Sequence, residues 1–232
     1  MTTSRKSVLI STFATLLGLV VLVLPGTASA FSAAGDFSTS SNPNGAWSYG
    51  SSTSLASAFI PSSIPTNNYG GIGLGGWLGS ATGGGDPYVL HNGTAHNVTN
   101  NFSIYQPGQL ALQPGGLVQY SIVRWTAPSS GTFSINATFS GLSSLGDSVD
   151  VHILLDGISI FNSVVNPNPA SFATSGSLVA GDRIDFVVGN GGNGANEDNT
   201  ALLATIVPEP ATLGLVGLGL GCLLSSRFLK RK

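Results

Sequence analysis

The sequence predicts an all-β protein: an antiparallel β-sandwich, jelly-roll-like, flanked by an N-terminal signal peptide and a C-terminal transmembrane sorting segment. Three observations carry this. From Tyr88 onward, short runs rich in β-branched and aromatic residues recur with apolar and polar positions alternating at period two. Turn signals separate the runs, and no stretch of the body carries the three-to-four-residue apolar period of an amphipathic helix. Charged residues make up only 8% of the 232 residues, against about 25% in an ordinary soluble domain.

The charge is also segregated. Arg5, Lys6, Arg227, Lys230, Arg231 and Lys232 all lie near the termini. Between Phe31 and Val207 only Arg124 and Arg183 are basic, against nine acidic residues. So acidic a body has no footprint for neutralising phosphates, which excludes nucleic-acid binding. Cys222 is the single cysteine and sits in the C-terminal apolar run, so the chain has no internal disulfide and no cysteine-based metal site.

Residues 1–30 read as a secretory signal peptide. Arg5 and Lys6 form its basic start, Val8 to Leu24 its apolar segment, and Ala28-Ser29-Ala30 a small-residue cleavage site, with the cut after Ala30. Residues 31–206 are the domain. Asn42-Pro43 and Asn44-Gly45 predict turns before a strand at Ala46 to Tyr49, with Trp47 and Tyr49 on one face. A second strand is expected over Leu55 to Ile60. Residues 61–87, with Gly70-Gly71, Gly73, Gly75-Gly76 and Gly83-Gly84-Gly85, read as a long surface loop displaying Tyr69 and Trp77.

Strands then come closely spaced: Tyr88 to His91, Val98 to Ile104, Leu117 to Thr126 and Thr132 to Phe139, with Trp125 in the core. Asp156-Gly157 between Val149–Leu155 and Ile158–Val165 predicts a hairpin with a two-residue turn. Ala170 to Leu178, Arg183 to Val188 and Ala201 to Val207 complete about nine to eleven strands, which two packed layers accommodate. A Gly- and Asn-rich loop spans Gly189 to Thr200.

Residues 207–232 have three parts: Val207-Pro208-Glu209-Pro210, an uncharged run from Ala211 to Leu224, and the basic end Arg227 to Lys232. The prolines hold the first part extended. At about 1.5 Å per residue the apolar run is a short span for a bilayer core of about 30 Å. Basic residues beyond it should stay cytoplasmic. This tripartite tail, with Pro208, Glu209 and Pro210 as its motif, resembles the PEP-CTERM sorting signal of exported proteins in Gram-negative bacteria. The resemblance implies transient anchoring in the inner membrane and processing by an exosortase, a membrane protease-transpeptidase. It further implies a final place at the cell surface or in the extracellular matrix, in association with exopolysaccharide and biofilm. The body, through Asn42 to Gly50, Val123 to Pro128, Asp150 to Gly157 and Ala180 to Phe186, is similar to an uncharacterised sandwich domain of such proteins. The turn and strand at Ala180 to Phe186 are also similar to those of jelly-roll carbohydrate-binding modules.

No catalytic constellation stands out. His91, His96 and His152 lie in turns or strands, and no serine sits in a Gly-x-Ser-x-Gly elbow. Asp150, Asp182, Asp185, Glu197 and Asp198 could supply a glycosidase pair, but most adjoin turns, where Asp is favoured for its own hydrogen bonds. The expectation is therefore a non-enzymatic exported protein, with a carbohydrate-binding module and a secreted glycoside hydrolase as alternatives. Two sites are expected within the body. Glu197 and Asp198, amid Asn193, Asn196 and Asn199, offer oxygen ligands for a structural Ca²⁺. Trp77 and Tyr69 offer aromatic faces for a glycan.

Overall fold

Sixteen strands make up two facing sheets and a small ribbon in the computed structural model, which describes residues 29–210 apart from 56, 80–84, 118, 144, 146, 147 and 166. In chain order they are β1 (Phe31–Ser32), β2 (Trp47–Ser52), β3 (Ile60–Pro61), β4 (Ile64–Tyr69), β5 (Leu74–Leu78), β6 (Tyr88–His91), β7 (Val98–Asn100) and β8 (Ser103–Tyr105). They continue as β9 (Leu110–Gln113), β10 (Tyr120–Thr126), β11 (Gly131–Gly141), β12 (Val149–Leu155), β13 (Ile158–Val165), β14 (Ala170–Leu178), β15 (Arg183–Val188) and β16 (Thr200–Pro208). The expected signal peptide up to Ala28, the apolar run from Ala211 and the basic end lie outside the described residues. Among the described residues no helix is long and apolar enough to cross a membrane.

The topology is that of a jelly roll. One sheet runs β14-β11-β16-β9-β6-β5-β4 and the other β13-β12-β15-β10-β2-β3. Within these orders, β9-β16-β11-β14 faces β10-β15-β12-β13, the arrangement of two interlocked Greek keys. Every named strand pair is antiparallel. The alternation in the sequence is what selects the inner faces. On β11, Phe133, Ile135, Ala137 and Phe139 point into the core, and Ser134, Asn136, Thr138 and Ser140 point away. On β10, Val123 and Trp125 are buried against them. Trp125 meets Phe31 and Phe133 edge-on at 5.5 and 5.2 Å, a favoured aromatic geometry.

The Asp156-Gly157 hairpin forms as expected. Both residues have positive φ, 49° and 82°, as a type I′ turn requires. Leu55 to Ile60, by contrast, is no strand: only Ile60 and Pro61 pair, with β2. Leu55 and Phe59 instead cover Ile122, Leu154 and Val187 on the outer side of the six-stranded sheet. The segment expected over Val98 to Ile104 breaks into β7 and β8, because Asn101 turns the chain at φ 50°. The strand expected from Leu117 starts at Tyr120, and Leu117 is exposed.

The largest departure is residues 61–87. Instead of a surface loop, β4 and β5 form a hairpin that extends the eight-stranded sheet beyond β6. Glycine explains why the sequence hid it. A Cβ on Gly76 would meet the carbonyl oxygen of Val89 at 2.6 Å, so glycine there lets β5 and β6 pack closely, rather than marking a loop.

Arg124 and Asp185 face each other across β10 and β15. Their bidentate contact, at 2.6 and 2.8 Å, lies under the Phe59 ring, whose centroid is 4.2 Å from the guanidinium carbon. Asp185 is only 4% exposed. Arg124→Leu should therefore strand a buried carboxylate and cost about 3–5 kcal/mol, whereas Arg124→Leu with Asp185→Leu should recover most of it. Denaturant unfolding of the two variants checks this, and a single-variant cost below about 1 kcal/mol would contradict it.

Candidate functional site

The loop between β15 and β16, residues 189–199, forms part of a polar concavity of the domain. It is anchored at its start by Asp150 on β12. The Gly191 amide donates to Asp150 Oδ1 at 2.7 Å, the Gly189 amide donates to the Asp150 carbonyl, and His152 Nε2 lies 2.8 Å from Asp150 Oδ2. Burial alone would raise the Asp150 carboxyl. The His152 hydrogen bond, the Gly191 amide and the His152 charge outweigh it and hold the group below the ordinary carboxylate range.

Asn199 anchors the other end of the loop. Its Oδ1 accepts from the Tyr105 hydroxyl at 2.6 Å and the Tyr88 hydroxyl at 3.2 Å, and its Nδ2 donates to Ser103 Oγ at 3.2 Å. Burial pushes both tyrosine hydroxyls well above their usual range, so they stay protonated and serve as donors. Gln113, at the end of β9, donates from Nε2 to the Ala195 carbonyl and fixes the middle of the loop.

At the Gln113 and Asn199 anchors lies a cleft of about 260 Å³, lined also by Tyr69, Asp86, Tyr88, Asn101, Asn196 and Glu197. The Tyr69 and Tyr88 rings are 5.1 Å apart and form one aromatic wall. Glu197 holds a left-handed conformation, φ 62°. Its Oε2 and the Oε1 of Gln113 are shielded from solvent and have no hydrogen-bond partner among the described residues. Among the described residues no Lys or Arg lines the cleft.

The expected glycan pair therefore divides. Tyr69 lines the cleft, but Trp77 does not: it is 5% exposed, packs in the main core and donates from Nε1 to the Ser38 carbonyl at 2.7 Å. Its strand pairing, missed in a glycine-rich stretch, is the reason. Tyr88 takes its place beside Tyr69. The proposed calcium ligands also part, with Glu197 at the cleft and Asp198 buried behind it at 2% exposure. Among the described residues no three His, Cys, Asp or Glu side chains gather for a metal. Of the other carboxylates, Asp185 pairs with Arg124, Asp150 holds the loop, and Asp182 accepts from the Val179 amide. Gln113 escaped the sequence reading because all four β9 residues are buried and so show no alternation.

The sorting tail begins where β16 ends. Val207 and Pro208 are its last residues rather than a free linker, with Glu209 and Pro210 immediately after. Residues 207–232 match the family model of the PEP-CTERM protein-sorting motif. The chain carries a PEP-CTERM sorting motif. PEP-CTERM proteins are exported, and the motif is a C-terminal sorting signal processed by an exosortase, a membrane enzyme. No curated protein matches the chain. Among solved structures, CBM51-2 in complex with GlcNAc and INT domains from Clostridium perfringens ZmpB is 16% identical, with TM-score 0.36. That match covers 53% of this chain and 28% of that one, so this chain spans just over a quarter of its length. CBM51 from Clostridium perfringens GH95 in complex with methyl-galactose is 10% identical, with TM-score 0.33, over 51% of this chain and 86% of that one. A family 35 carbohydrate-binding module from Clostridium thermocellum is 10% identical, with TM-score 0.29, over 56% and 96%. At such TM-scores these likenesses carry no ligand or site across.

The two anchors can each be tested. Asn199→Ala leaves the Tyr88 and Tyr105 hydroxyls without their acceptor and should cost about 2–3 kcal/mol in denaturant unfolding. Asp150 contributes stability that is present above its unfolded-state value near 4 and is lost as pH falls through its lower folded-state value. Thermal melts from pH 5 down to pH 2 should fall more steeply for the parent than for Asp150→Asn, and equal slopes would contradict the anchor.

Proposed function

We propose that this chain is a non-enzymatic, exported surface or matrix protein whose jelly-roll domain binds polysaccharide in the Tyr69–Tyr88 cleft. The observation that carries this is the lining itself. The Tyr69–Tyr88 pair shares the lining with the exposed amides of Asn101 and Asn196 and the half-buried carboxylate of Asp86. Sugars present a hydrophobic ring face and many hydroxyl donors, which such a wall and such acceptors suit. Asp86 and Glu197 give the cleft negative charge, with no basic residue in its lining among the described residues. That favours neutral glycans, or glycans bearing amino groups, over uronates and sulfated chains.

The sorting motif supports delivery outside the cell, after transient holding at the inner membrane. A role beside exopolysaccharide in biofilm joins these two features, in keeping with the sequence resemblance. The engaged state of Asp150, Asp182 and Asp185 supports binding without hydrolysis.

Tyr69→Ala should weaken retention on neutral polysaccharide in affinity electrophoresis by about tenfold, as removal of an aromatic contact implies. Unchanged retention would count against the cleft. Turnover of the glycan, lost in Glu197→Gln, would replace the binding role with the hydrolase alternative.

A further inference from the structure

The sheet continues past the point where the sorting motif begins. Val207 pairs with Ser134 and Pro208 with Phe133. The Glu209 amide donates to the Thr132 carbonyl at 2.8 Å, and the Ser134 hydroxyl donates to the Glu209 carboxylate. The Glu209–Thr132 bond flanks the Pro208–Phe133 pair, which is therefore of the non-hydrogen-bonded kind, so the missing N–H of Pro208 leaves no gap in this ladder. Just before it, Thr205 and Ile206 are held on both sides, by β11 and by β1.

Enzymes that cut peptides commonly bind them as an added strand, through free backbone donors and acceptors around the bond to be broken. Thr205, Ile206, Val207 and the Glu209 amide already spend those groups on the sheet. Thr205 and Ile206 cannot be reached without parting β16 from both neighbours.

We propose that the processed bond lies at or beyond Pro210–Ala211, so that the mature protein keeps Val207, Pro208 and Glu209 as the last rungs of its sheet. The first half of the sorting motif is then a structural part of the domain, and only the residues after Pro210 are disposable. This rests on processing of the PEP-CTERM tail. In that step one peptide C–N bond breaks, the acyl carbon passes to water or to an amine, and the nucleophile's proton goes to the departing amino group of the tail.

The test is the C-terminus of the mature protein, isolated from a host that produces the full chain and read by intact mass and C-terminal peptide sequencing. A last residue of Pro210 or later is expected. A terminus between Ile206 and Glu209 would overturn the position. A chain that retains residues 211–232 would overturn processing itself, a different failure. Hydrogen exchange supplies a second readout on the same material: the Glu209 amide should exchange at least about tenfold more slowly than in an unstructured peptide. Exchange at the peptide rate would show that the motif is not held by the sheet and would remove the ground for the proposal.

Discussion

The backbone pairing of β16 is the constraint on which most of the molecule depends. It lies inside the eight-stranded sheet, bonded to β11 along nearly its whole length and to β9 and β1 on the other side. Its inward side chains, Leu202, Ala204 and Ile206, belong to the main core. Asn199, directly before its first residue, accepts the two tyrosine hydroxyls behind the cleft, and its last rungs are the start of the sorting motif. One strand thus sets the core, shapes the candidate ligand site and fixes where the disposable tail begins.

Scarcity of charge is the second theme. The body's two arginines are both paired, Arg124 in a buried bidentate contact and Arg183 with Asp156 at the surface, 3.3 Å apart. The first is a structural commitment because either partner alone would be a buried charge, whereas the exposed pair contributes at most about 1 kcal/mol. Apolar burial and hydrogen bonds hold the rest, among them the Tyr88–Tyr105–Asn199–Ser103 network and the bonds of the Asp150 carboxylate to Gly191 and His152.

Much of this was legible in the sequence. The alternation in Thr132–Phe139 gave its strand at the expected place because one face is buried and the other is not, whereas the Asp156-Gly157 turn and the short runs at Ala170–Leu178 and Arg183–Val188 were legible from their turn boundaries and apolar or β-branched content. Legibility failed where local composition answered to a distant neighbour. Gly75 and Gly76 look like loop residues until His91 and Leu90 are laid across them, and Trp77 looks exposed until the same pairing buries it. The cleft was half visible. Tyr69 and Glu197 were singled out from their chemistry, but Gln113 and the Tyr88–Asn199 contact join residues far apart in the chain, and no local period announces them. The reach of β16 into the motif was also hidden. Pro208 reads as a strand breaker unless its nitrogen is known to face away from the partner.

Glycan binding in the Tyr69–Tyr88 cleft is tested most directly by titrating the isotope-labelled mature protein with a soluble neutral oligosaccharide and recording amide chemical shifts. Binding there predicts saturable shifts gathered at Tyr69, Tyr88, Asn101, Asn196 and Glu197. Shifts gathered instead on the outer face of β14, β11 and β16, around Asn136, Ala173 and Leu203, would contradict it.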